Sequence, residues 1–118
     1  MYESKDNLPA TIDQPGVKLQ SIQWGEMIAG HAQFSKGVDF TPMLKGLPDD
    51  LCPCPHWGYI LKGKMHVRYK DHHEEVIGPG QVYYLQPGHT VWIDEDIEFV
   101  EFSPVEESNT VMKHISGG

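Results

Sequence analysis

The chain has 118 residues and a mass of 13.4 kDa, which is enough for one domain and leaves little room for a second. Its apolar fraction of 39% is typical of a folded protein, and no apolar run approaches the roughly 20 residues that a membrane-spanning helix needs. The net charge of −8 repels phosphate backbones and anionic lipids, which argues against nucleic acid or a membrane as the main partner.

The N-terminal residues 1–16 are polar and are interrupted by Pro9, Pro15 and Gly16. They have neither the basic start nor the apolar centre of a secretory signal, so we expect a cytoplasmic protein. This segment predicts an irregular arm that wraps the domain or reaches a partner subunit.

Short apolar runs, bounded by glycine, proline and aspartate turns, follow from Val17 to Phe102. They predict strands over 17–24, 26–34, 38–44, 56–61, 65–69, 75–77, 82–85, 91–93 and 97–102. Many short strands at close spacing are typical of an all-β sandwich or small barrel.

The tail contains the one predicted helix. Ser103-Pro104-Val105-Glu106 matches a capping box, with Ser103 as N-cap, and the helix is expected to continue to about Lys113. The predicted organisation is therefore an arm over 1–16, a barrel over 17–103, and a helix and tail over 104–118.

The segment Cys52-Pro53-Cys54-Pro55-His56 is the most specific chemical feature. A disulfide between cysteines two apart would be strained and of little value, and reduced thiols fit the cytoplasm. In an extended chain Cys52, Cys54 and His56 point the same way, and thiolates and imidazoles are ligands for zinc, iron or nickel. His89, after Pro87-Gly88, is the best candidate for a fourth ligand. The alternative is that both cysteines are small buried core residues.

Two further stretches resemble the motifs of the cupin family. His56-Trp57-Gly58-Tyr59-Ile60-Leu61-Lys62-Gly63 is similar to the end of the first cupin motif, and residues 80–88, Gly-Gln-Val-Tyr-Tyr-Leu-Gln-Pro-Gly, are similar to the second. The resemblance implies an antiparallel jelly-roll β-barrel with a small-molecule or metal site inside, and a homodimer.

The chain departs from the usual cupin ligands, which are two histidines and a glutamate in the first motif and one histidine in the second. His56 stands where the glutamate is usual, and Val91 stands at the usual histidine position of the second motif. The resemblance therefore implies a non-standard set, Cys52, Cys54, His56 and His89, in which two sulfurs and two nitrogens favour zinc. Four ligands would make a closed, structural site, whereas three would leave a position for water or a ligand.

Three functions remain open from the sequence. The first is a metal-dependent enzyme acting on a small organic molecule, although the pattern places no carboxylate clearly inside the barrel to serve as acid or base. The second is a non-catalytic cupin that binds or senses a ligand, with a structural metal or none. The third is a scaffold subunit assembled through its N-terminal arm.

Overall fold

The computed structural model describes residues 1–117, so the last residue of the predicted 104–118 tail lies outside the described residues. The described chain forms nine strands, one α-helix and three short 3₁₀ turns, the turns covering Lys5–Asn7, Thr41–Leu44 and Pro48–Asp50. The strands are β1 (Ala10–Gln14), β2 (Val17–Trp24), β3 (Met27–Phe34), β4 (His56–Lys62), β5 (Met65–Tyr69), β6 (Glu74–Ile77), β7 (Val82–Leu85), β8 (His89–Trp92) and β9 (Ile97–Pro104), and the helix is α1 (Val105–Ile115).

The strands form two antiparallel sheets. The larger sheet has the order β1-β2-β3-β9-β4-β7, and the smaller has the order β6-β5-β8. Their facing sides enclose one apolar core, which includes Phe34, Ile60, Met65, Leu85 and Phe99. The prediction of an all-β antiparallel fold with a short C-terminal helix is therefore confirmed.

Two segments differ from the sequence prediction. The prediction of a strand over 38–44 is wrong. This segment forms a single β-bridge, at Asp39, and then turns into the 3₁₀ helix Thr41–Leu44. The Asp39 carboxylate accepts a hydrogen bond from the backbone N–H of Thr41 at 2.9 Å, and Pro42 fixes a helical φ at the start of the turn. In the expected irregular arm, residues 10–14 form β1 and pair with β2 as the edge strand of the larger sheet.

The predicted capping box is also wrong. Ser103 belongs to β9, the N-cap position is Pro104, and no side chain caps the helix. Packing instead holds helix α1 in position, because Val111 and Ile115 join Leu44 and Leu47 in a second apolar cluster. This cluster covers the end of the barrel at which Cys52 and Cys54 lie.

The outer side of the larger sheet is unusually apolar. Strand alternation and register place two adjoining rows of side chains there, each crossing five strands. One row runs Ile22, Ala29, Phe102, Trp57, Tyr84, and the other runs Gln20, His31, Val100, Tyr59, Val82. Trp57 and Phe102 are 43% and 44% exposed, and Val82 is 80% exposed. We call the eight apolar residues of these rows the outer apolar face; Gln20 and His31, which complete the second row, are polar and buried.

Candidate metal centre

Three of the four predicted metal ligands come together at one end of the barrel. The loop carrying Cys52 pairs with the start of β8, since the Cys52 N–H donates to the His89 carbonyl at 2.8 Å. His56 begins β4, and one ligand atom each of Cys52, His56 and His89 lies within 4.8 Å of the other two. A buried Cys/His/His cluster of this kind could hold a metal ion.

Hydrogen bonds orient both imidazoles. The His89 Nδ1–H donates to the Gln86 carbonyl at 2.7 Å, and His56 Nδ1 lies 2.6 Å from the Ser103 hydroxyl oxygen. His56 Nε2 lies 3.7 Å from Cys52 Sγ, close to the roughly 3.5 Å expected between two ligands around a tetrahedral zinc ion. Partners of this kind at Nδ1 fix the ring and leave Nε2 for a metal, so the donor set fits the ion.

Cys54 lies outside this group of three. It is fully buried, and its Sγ lies 3.4 Å from the Pro55 carbonyl oxygen. Its environment is the apolar cluster beneath helix α1, which also contains Leu44 and Val111. The four-ligand set stays a prediction.

Burial sets the protonation of the three ligands. It lowers the pKa of His56 to about 4 and that of His89 to about 4, with the neighbouring His56 adding to the shift at His89. It raises the pKa of the Cys52 thiol to about 11. At neutral pH the metal-free site therefore contains two neutral imidazoles and a protonated thiol.

A buried carboxyl group, which the sequence interpretation missed, stands beside the histidines. Glu101 lines the same cavity from β9, with Oε2 3.5 Å from His56 Nδ1 and Oε1 accepting a 2.7 Å hydrogen bond from the Tyr83 hydroxyl. Burial raises the pKa of Glu101 to about 7. The signal was present in the alternation of Ile97, Phe99 and Glu101, which places all three on the inner face of one strand.

These groups lie on the wall of a cavity of about 300 Å³. Phe34, Met65 and Leu85 line it from the barrel, and Met112 and Ile115 line it from helix α1. The edge strand contributes as well, since Thr11 and Ile12 of β1 are part of the wall. The metal-ligand cluster thus faces a partly open, mainly apolar space that a small molecule can occupy.

No protein-family model matches the chain, and no curated protein sequence matches it. Within the described residues, no helix has the length and apolar character that crossing a membrane requires.

Solved structures with the same architecture do exist. An RmlC-like cupin from Shewanella frigidimarina aligns with 92% of this chain and 94% of its own, at 17% identity and a TM-score of 0.65. KdgF from a Halomonas species aligns over 88% and 94% at 17% identity and a TM-score of 0.62. The polyketide cyclase RemF from Streptomyces resistomycificus aligns over 88% and 78% at 15% identity and a TM-score of 0.60.

Sequence identities this low establish the fold alone. The structural alignments agree with the arrangement of two antiparallel sheets around a cavity described above. The chain therefore has the jelly-roll fold of a small cupin.

Proposed function

We propose that this chain is a metal-dependent small-molecule protein, in which Cys52, His56 and His89 hold one divalent metal ion at the wall of the barrel cavity. The observation that carries the proposal is the buried group of three ligand atoms within 4.8 Å of one another. One thiolate and two imidazoles favour zinc, although iron and nickel also accept this donor set.

Three protein ligands leave a coordination position open, and the cavity is the space next to it. A metal ion bound there supplies Lewis acidity toward an oxygen of a molecule in the cavity. Glu101 supports a catalytic function over a purely sensing one, because its carboxyl group lies on the cavity wall 3.5 Å from His56, where it can exchange a proton with a bound molecule. The Tyr83 hydroxyl fixes the carboxyl group in place. Ligand sensing without catalysis is the alternative.

Calorimetric titration of the metal-free protein with Zn²⁺ tests the metal site. We expect one Zn²⁺ ion to bind per chain, and each bound ion to release about one proton when the titration is carried out at about pH 8 to 9. The proton comes from the Cys52 thiol, since both imidazoles are already neutral. Affinity should therefore rise about tenfold per pH unit in this range.

Buffers with different ionisation enthalpies give the proton count in the same experiment. His66→Gln is a matched control, since it also removes an imidazole, and His66 lies in the smaller sheet and bonds to Asp94 rather than to a proposed ligand. Absence of saturable Zn²⁺ binding, or binding without proton release, would contradict the assignment of Cys52.

We also propose a reducing, cytoplasmic location and a homodimer. Both cysteines are free, and a reducing compartment keeps the Cys52 thiol available. None of the residues of the outer apolar face is a carboxylate, and the adjoining Glu98 is hydrogen-bonded to His31 at 2.6 Å, so two copies that each bear a charge of −8 can meet there with little direct repulsion.

Replacing Trp57 with glutamate should dissociate this homodimer, because a buried carboxylate at the centre of the interface would have no partner. Sedimentation velocity at micromolar concentration measures the change in mass. Val76→Glu is the control, since Val76 is 56% exposed but lies on β6 of the other sheet. A wild-type chain that sediments as a monomer would refute the dimer.

A further inference from the structure

The walls of the cavity restrict the chemistry of the molecule that fills it. On the barrel side they are built from Phe34, Met65 and Leu85, and on the helix side from Val111, Met112 and Ile115. A space of about 300 Å³ equals about ten water molecules at their liquid volume, at the lower end of ligand pockets in proteins. It accommodates a single ring or a short chain.

One group of polar side chains in the wall lies beside the metal ligands. His56 Nδ1 lies 2.6 Å from the Ser103 hydroxyl and 3.5 Å from the Glu101 carboxylate, so both side chains are in contact with His56. Another polar lining residue, Thr90, is already paired with Thr41 at 2.8 Å. A ligand therefore meets a polar patch beside the metal ligands, while most of the remaining wall is apolar and its other polar residues, Thr11, Ser21, Ser108 and Asn109, are uncharged.

The charge of the wall is one-sided. Among residues 1–117, no lysine or arginine lines the cavity, and the only carboxylate that does is Glu101. An anionic ligand would be buried without a cationic side chain to pair with it and beside a carboxyl group, which is costly. The residues at the exposed side of the cavity, Thr11 and Asn109, are uncharged as well.

We propose that the cavity selects an uncharged, largely apolar organic molecule whose single hydroxyl or carbonyl group lies against His56, Ser103 and Glu101. The position of that group beside a metal rests on the function proposed above. The selection against anions follows from the side chains of the wall alone, so it applies to the metal-free protein, because a bound Zn²⁺ ion would itself attract a carboxylate.

Benzyl alcohol and benzoate are a matched pair of probes, with the same ring and a different charge. We expect benzyl alcohol to bind the metal-free protein at least tenfold more tightly than benzoate, and to shift the methyl signals of Met65 and Met112 in NMR spectra of methyl-¹³C-methionine protein. Equal or tighter binding of benzoate, or methyl signals that neither probe moves, would overturn the proposal.

A cation placed in the wall should reverse the preference. Met112→Arg puts a guanidinium at the helix side of the cavity, and we expect it to strengthen benzoate binding at least tenfold with Met65 as the reporter. Thr110→Arg, on the exposed side of the same helix, should leave both affinities unchanged. If Met112→Arg folds and benzoate binding is unchanged, wall charge does not set the selectivity; if it fails to fold, the wild-type comparison still decides.

The two proposals can fail separately in this experiment. A protein that takes up no zinc yet prefers benzyl alcohol, with the expected methyl shifts, would overturn the metal site and support the cavity selectivity. A protein that binds one zinc ion and shows no preference would retain the metal site and overturn the selectivity.

Discussion

Replacing Cys52 with serine is expected to weaken Zn²⁺ binding by at least about a hundredfold, because the loss of an outer-shell partner alone costs 10–100-fold in typical metal sites. Cys52 supplies the one thiolate of the buried Cys/His/His group, and a serine hydroxyl does not ionise in its place. Competition with a chelator of known affinity measures the change.

Cys54→Ser is the matched control for this prediction. Both thiols are buried, and each change swaps one sulfur for one oxygen two residues apart. Because Cys54 Sγ lies against the Pro55 carbonyl and outside the group of three, we expect zinc affinity to change by less than about threefold, the usual spread between contexts. Equal losses in both variants would restore the four-ligand set of Cys52, Cys54, His56 and His89.

Gly58→Ala is expected to lower the free energy of unfolding by about 3 kcal/mol, the upper range for an overpacked core position. A Cβ atom at residue 58 would overlap the phenol ring of Tyr83 and the backbone carbonyl oxygen of Val100. Backbone cannot move aside at small cost, and moving Tyr83 breaks its hydrogen bond to Glu101. Urea denaturation followed by tryptophan fluorescence measures the loss.

Gly30→Ala tests whether this loss reflects the contact or simply the replacement of a strand glycine. A Cβ atom at Gly30 would meet its nearest neighbours at 3.5 Å, which is ordinary van der Waals contact. We expect a change within about 1 kcal/mol, in either direction. If the Gly58→Ala protein were as stable as the Gly30→Ala control, the packing of Tyr83 would not depend on the absence of a side chain at residue 58.

The strands that alternate between clear turn signals were predictable from sequence. Residues 17–24, 65–69 and 82–85 form strands with the predicted bounds, because alternation and flanking glycines report local geometry. Residues 10–14 were not predictable in the same way, since their pairing depends on the edge that β2 offers rather than on their own polar composition.

Of the residues in the candidate site, only the proposed metal ligands were predictable from the sequence. Cys52 and His56 share a short motif, and His89 follows a recognisable turn, so spacing alone pointed to them. Glu101 and Ser103 lie in a strand that gives no such motif, and their roles depend on β9 running next to β4. Ser103 is an example. Together with Pro104 and Glu106 it matches the sequence pattern of a helix start, and this pattern gives no indication that Ser103 contacts His56.

The position of β9 also has a consequence for biosynthesis. The last of the nine strands in chain order is inserted between β3 and β4, in the middle of the larger sheet, and it carries both Glu101 and Ser103. Until residues 97–104 are available, two strand edges stay unpaired and His56 lacks its orienting hydroxyl. Pairings between segments this distant in sequence form slowly, so the barrel closes only after all nine strands have been synthesised.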